Sequence, residues 1–75
     1  MPLTVQATAA GRPLRVHLNG RWQVVAAVED AWRVEDEWWR AVPLSRTYLG
    51  VLLADGRRVT LYQDGAGEWF EQRYG

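Results

Sequence analysis

Hydrophobic and polar residues alternate along most of this chain with a period of two, the mark of strands that bury one face. Leu3, Val5 and Ala7 alternate with Thr4, Gln6 and Thr8 and predict a first strand. Ala9-Ala10-Gly11-Arg12-Pro13 breaks the pattern. Because Pro13 has no N–H to give to a ladder, pairing is expected to stop or restart there. Leu14, Val16 and Leu18 then alternate with Arg15, His17 and Asn19 as far as Asn19-Gly20, a strong hairpin signal. A two-residue loop at Asn19-Gly20 sets Leu18 against Arg21 and Val16 against Gln23, which brings polar residues to a core face. A three-residue loop, with Gly20 left-handed in a bulge, sets Val16 against Trp22 and Leu14 against Val24, and is the preferred reading.

The alternation continues through Val24, Ala26 and Val28 until the polar pair Glu29-Asp30. The stretch from Trp32 to Arg40 holds three of the five tryptophans. Val28, Ala31, Trp32, Glu35, Trp38 and Trp39 have helical spacing, whereas Trp32, Val34, Asp36 and Trp38 have strand spacing with a flaw at Asp36. Aromatic and β-branched residues favour an extended or irregular path, with room for one short helical turn near Glu35–Trp38. Pro43 ends this segment, which is expected to be buried by the rest of the chain and to close the sheet.

The C-terminal third reads as a three-stranded meander: Tyr48 to Leu53, Arg57 to Tyr62 and Trp69 to Tyr74, joined at Asp55-Gly56 and at Asp64-Gly65-Ala66-Gly67. A two-residue first turn and a four-residue second turn put Leu52, Val59, Leu61 and Phe70 on the core face. On the other face they bring Leu49, Tyr62 and Trp69 together, with Val51, Thr60, Arg58 and Glu71 beyond. The expected fold is all-β: a small antiparallel sheet of five or six strands curled into a barrel or half-barrel, residues 1–75 forming one domain.

Composition narrows this picture. Seventy-five residues sit near the lower limit of independent folding and predict a stability of only about 4 to 11 kcal/mol. There is no cysteine to form a disulfide or a thiolate zinc site, so aromatic packing has to carry the fold. Nine arginines balance nine acids, and lysine is absent. Zero net charge does not advertise a nucleic-acid partner, and an all-arginine set of bases is read chiefly as a genomic bias. Neither a signal peptide nor an apolar run of membrane-spanning length is recognisable, so the cytoplasm is the expected compartment and no membrane contact is foreseen.

The candidate chemistry is sparse. Glu29, Asp30, Glu35, Asp36 and Glu37 cluster near tryptophans, the setting that raises a carboxyl pKa, but no nucleophile or oxyanion hole accompanies them. His17 is the sole histidine, too few ligands for zinc. The acids do not follow a calcium-loop spacing, and Asp64-Gly65-Ala66-Gly67 is a turn rather than a phosphate cradle. The expectation is a protein that is no enzyme and takes no cofactor or metal.

Asn19-Gly20-Arg21-Trp22-Gln23-Val24, Val28-Glu29-Asp30-Ala31-Trp32-Arg33-Val34-Glu35, Trp38-Trp39-Arg40 and the segment Tyr48 to Tyr74 together resemble a small bacterial family of unknown function. The same pattern resembles the C-terminal module of Y-family DNA-polymerase-like proteins of the mutasome type. There a Trp-Arg segment and a Trp-Trp pair precede a Leu-Ala-Asp-Gly-Arg-Arg hairpin, here Leu53 to Arg58, and a Gly-x-Trp-Phe strand, here Gly67 to Phe70. The resemblance covers about residues 14 to 74. It implies a stand-alone, non-catalytic accessory module attached to DNA damage tolerance, and carries over no catalytic residue, because the polymerase palm and its acidic metal ligands have no counterpart here.

Two functions follow as expectations. The first is an interaction module docking a protein partner, such as a DNA damage tolerance component, through Leu49, Tyr62 and Trp69. The second is a single-stranded nucleic-acid binder in which Tyr62 and Trp69 stack bases while Arg57, Arg58 and Arg73 contact the backbone. An open edge at Leu3 to Thr8 leaves room for a homodimer.

Overall fold

A computed structural model of the chain describes residues 2–36 and 44–72. Six strands form one antiparallel sheet in chain order: β1 (Val5–Ala7), β2 (Pro13–Leu18), β3 (Arg21–Asp36), β4 (Leu44–Leu53), β5 (Arg58–Asp64) and β6 (Trp69–Gln72). Every strand pairs with its sequence neighbour. The sheet curls into a half-barrel, and its two margins meet at one isolated bridge, where the Leu3 N–H donates to the Trp69 carbonyl at 2.7 Å.

The concave face is the core. Val16, Leu18, Leu49, Val51, Leu53, Leu61 and Trp69 are buried there, and Leu3, Val5, Val25, Val28 and Val59 pack against them, so every strand region contributes. The expected closure by the tryptophan-rich segment rests largely on residues outside those described. Leu3 and Trp69 make the seam, Trp32 lies on the convex face, and Trp38, Trp39 and Pro43 fall outside the described residues. The ambiguous stretch is extended: β3 runs without a helical turn to Asp36, and the rest of the turn expected near Glu35–Trp38 lies outside the described residues.

β3 is long because it serves two partners. Arg21–Val24 pairs with β2, and Val25–Asp36 pairs with β4. Bulges at Ala26 and Glu29 each insert one unpaired residue and reverse which side chains face inward. This parity change defeats the reading of Trp22, Val24, Ala26 and Val28 as a single face: Trp22 and Val24 are exposed, whereas Val28 packs on the core.

Three turns correct the expected registers, each by one residue. The β2–β3 hairpin uses the two-residue loop rather than the three-residue one, with Leu18 against Arg21 and Val16 against Gln23. Asn19 at φ 52° and Gly20 at φ 80° supply the two left-handed residues of the turn whose twist matches its flanking strands. The polar partners are tolerated because this end of the sheet is its rim, where Arg21 is exposed and Gln23 half-buried. The β4–β5 turn is longer than expected, Ala54-Asp55-Gly56, with the Gly56 N–H donating to the Leu53 carbonyl at 2.9 Å and Gly56 at φ +91°. The β5–β6 turn is shorter, Gly65-Ala66-Gly67, closed by the Gly67 N–H on the Asp64 carbonyl at 3.1 Å, with Gly67 at φ +88°. Both glycines occupy the left-handed position of a three-residue hairpin loop, which disfavours other residues.

The new registers set Leu49 against Leu61, Tyr48 against Tyr62 and Tyr62 against Phe70. Leu52 and Phe70 therefore belong to the convex face, not the core, while Val59 and Leu61 do face inward. Leu49 and Trp69 move from the expected outer patch into the core.

Leu61 is fully buried, so Leu61→Ala should cost about 2–5 kcal/mol, a large part of the stability open to a chain this short. A urea titration followed by circular dichroism should show the midpoint falling accordingly. The Arg57 N–H donates to Asp55 Oδ1 at 3.0 Å and, with the Arg57 side chain, holds the Asp55 carboxyl below the usual carboxylate range. A depressed folded-state pKa stabilises the turn above the ordinary value of about 3.9, and the contribution disappears as pH falls through the lower folded value. An NMR titration should therefore give Asp55 a midpoint below that of an unstructured aspartate, with the Arg57 amide shift following it.

Candidate functional site

The corrected turns align four aromatic residues across four neighbouring strands of the convex face: Trp32 on β3, Tyr48 on β4, Tyr62 on β5 and Phe70 on β6. Each stands directly opposite the next in the ladder, and the ring centroids lie 5.3, 5.2 and 5.1 Å apart. Trp32 and Tyr48 are nearly parallel, with 5° between planes, and Tyr62 and Phe70 are stacked at 19°. Directly opposed rings contribute beyond their buried area, so the row is an ordered stack rather than loose surface side chains. Trp32 ends the row among the described residues and is 40% exposed, with one indole face against Tyr48.

Cations stand on both sides of the row. Arg46 places its guanidinium 4.8 Å from the Tyr62 ring centroid and donates to the Tyr48 hydroxyl at 3.3 Å. That hydrogen bond outweighs partial burial and, with smaller pulls from the two tyrosines and Asp64, raises the Arg46 pKa further, so the cation persists at every accessible pH. On the opposite side runs a low polar row, Asp30, Gly50, Thr60 and Gln72. Beyond it Arg58 donates to Glu29 at 2.8 Å. Glu29, Asp30, Trp32, Gly50, Arg58 and Thr60 line a shallow depression of about 220 Å³ beside the aromatic row. Gly50 keeps it open, since a Cβ there would sit 3.2 Å from the Asp30 Cβ.

Of the residues expected to form a binding patch, only Tyr62 stands on this face, half-buried between Tyr48 and Phe70. Leu49 is 9% and Trp69 7% exposed, both turned into the core. Of the expected backbone-contacting arginines, Arg58 borders the depression. Arg57 is clamped to Asp55 at 2.8 Å at the turn, and Arg73 lies outside the described residues. Trp32, Tyr48, Phe70 and Arg46 were missed. The signal for them lay in the two glycine turns: three-residue loops at both would have aligned Tyr48, Tyr62 and Phe70 directly.

A second exposed cluster lies at the β2–β3 hairpin, where Arg15 stacks over Trp22 at 4.8 Å and His17 meets the same ring edge-on at 5.3 Å. Among the described residues no group of histidines, cysteines and acids is placed to hold a metal ion, and no helix is long and apolar enough to cross a membrane. No family model matches the chain, and no curated protein or solved structure is significantly similar to it.

Gly50→Val should fill the depression and press on Asp30, costing about 1–3 kcal/mol in urea denaturation while the β-sheet circular dichroism is retained.

Proposed function

We propose that the convex face binds single-stranded nucleic acid without catalysis, the aromatic row stacking bases while Arg46 and Arg58 contact the backbone on either side. The observation that carries this reading is the row itself: four rings in mutual register, ending in a half-exposed indole and bordered by a depression with a polar rim. Aromatic platforms on small curled sheets take bases at about 1–3 kcal/mol each and tolerate any sequence, because every base has a π-face. Trp32 is held from behind by Tyr48, so little ordering entropy is lost when a base stacks on it. The mixed charges around the row, with Glu29 and Asp30 beside Arg58, favour a weak to moderate binder whose affinity rests on stacking more than on phosphate contacts. Within this reading the protein acts in the cytoplasm, and the resemblance to a mutasome-type accessory module supplies DNA damage tolerance as its setting.

The test is a tryptophan-fluorescence titration with a mixed-sequence single-stranded oligonucleotide at two salt concentrations, with duplex DNA as control. Saturable quenching that prefers the single strand is expected. Trp32→Ala should weaken binding by about 1–3 kcal/mol, and Arg46→Gln should flatten the salt dependence by about 0.7 in log–log slope. Absence of binding up to high micromolar strand would exclude this reading. It would leave the same aromatic face as a docking surface for a protein partner, for which the zero net charge is no obstacle.

A further inference from the structure

β3 continues past β2, and its residues Ala31–Glu35 are exposed. Its residues from Val25 onward pair with β4, β2 stops pairing at Val24, and among the described residues no strand covers the other side of Asp30–Asp36. That margin carries two exposed apolar side chains on the convex face, Trp32 and Val34, both about 40% accessible. On the opposite face it carries Arg33 and Glu35, an exposed ion pair at 3.1 Å. A long bare strand with apolar side chains is a template for another strand.

We propose that this margin pairs with the same margin of a second copy, β3 against β3 antiparallel about a two-fold axis at Val34. The choice of occupant follows from charge. An isologous antiparallel pair must set residues of one face opposite each other with a constant sum of positions. With the axis at Val34, each Arg33 faces the Glu35 of the partner and each Glu35 its Arg33, while the two valines meet at the centre and each Trp32 lies diagonal to the other valine. Moving the axis to Arg33 or to Glu35 sets like charges directly opposite, which is destabilising. The dimer joins the two convex faces into one surface, with the aromatic rows displaced along the strands by four residues, about 13 Å. The partner strand lies beside the exposed Trp32, so dimer formation and base stacking compete for that ring.

The experiment is sedimentation equilibrium without oligonucleotide, over micromolar to millimolar protein. The wild-type chain should approach twice its 8.6 kDa mass as concentration rises. Val34→Lys, which brings two ammonium groups together on the axis, should hold the monomer mass while circular dichroism stays native. Arg33→Glu and Glu35→Arg should each be monomeric alone, because each puts like charges opposite. Mixed in equal amounts they should form a heterodimer, a result that no contact within one chain explains. A wild-type chain that stays monomeric to millimolar concentration, a dimer that survives Val34→Lys, or a mixture that stays monomeric would each overturn the proposal. The outcome is separable from the nucleic-acid reading, since monomeric Val34→Lys should bind oligonucleotide at least as tightly as wild type if both hold.

Discussion

The structure depends on the register of three hairpin turns. In a sheet with one buried face, a shift of a single residue exchanges every inward side chain for an outward one. Gly56 and Gly67 each add a left-handed residue that a two-residue or four-residue loop would place elsewhere, and Asn19-Gly20 turns in two residues without a bulge. From those choices follow the burial of Leu49, Leu61 and Trp69 and the outward row Trp32, Tyr48, Tyr62 and Phe70. Had β4–β5 closed in two residues, Tyr62 would have stood against Leu49 and the row would not exist. The aromatic surface is therefore a product of backbone torsion at a few turn residues more than of aromatic content.

The fold class was legible in the sequence for the same reason that its registers were not. Period-two alternation and glycine turns mark strands and hairpins wherever they occur, and they anticipated an all-β curled sheet of five or six strands ending in a three-stranded meander, while the order of the full sheet stayed open. Alternation tells which residues share a face within one uninterrupted strand. It does not tell how many residues a turn consumes, nor where a bulge reverses the alternation. The strand β3 shows the second limit: Ala26 and Glu29 bulge, so a run that reads as one hydrophobic face is split between exposed Trp22 and Val24 and inward Val28. The turns Ala54-Asp55-Gly56 and Gly65-Ala66-Gly67 show the first, because Asp-Gly is common to both two-residue and three-residue loops. Tyr62 stands on the outer face where it was expected, whereas Leu49 and Trp69 do not.

Charge neutrality takes on a local meaning once the sheet is built. The bases and acids are not spread evenly: Arg33 pairs with Glu35, Arg57 with Asp55 and Arg58 with Glu29. Exposed pairs of this kind contribute little to stability. Their effect is on the field. Paired arginines project little long-range attraction for a polyanion, which leaves Arg46, engaged with tyrosines, as the cation most closely joined to the aromatic row. A surface built this way has little long-range pull on anionic ligands, so under the proposed function its selectivity would rest on contact with flat, stackable groups.

The bridge between Leu3 and Trp69 has a kinetic side. All other strand pairs join sequence neighbours, so hairpins form locally and quickly, whereas this seam joins the two ends of nearly the whole chain. Closing so long a loop costs on the order of 4 kcal/mol in chain entropy, more than one backbone hydrogen bond returns. The seam closes only when the core beneath it has already gathered Leu3, Val5 and Trp69, and it is the first pairing released when that core loosens. The half-barrel thus has a built-in order of assembly and of opening: a sheet that zips from its turns outward, with its ends joining last and parting first.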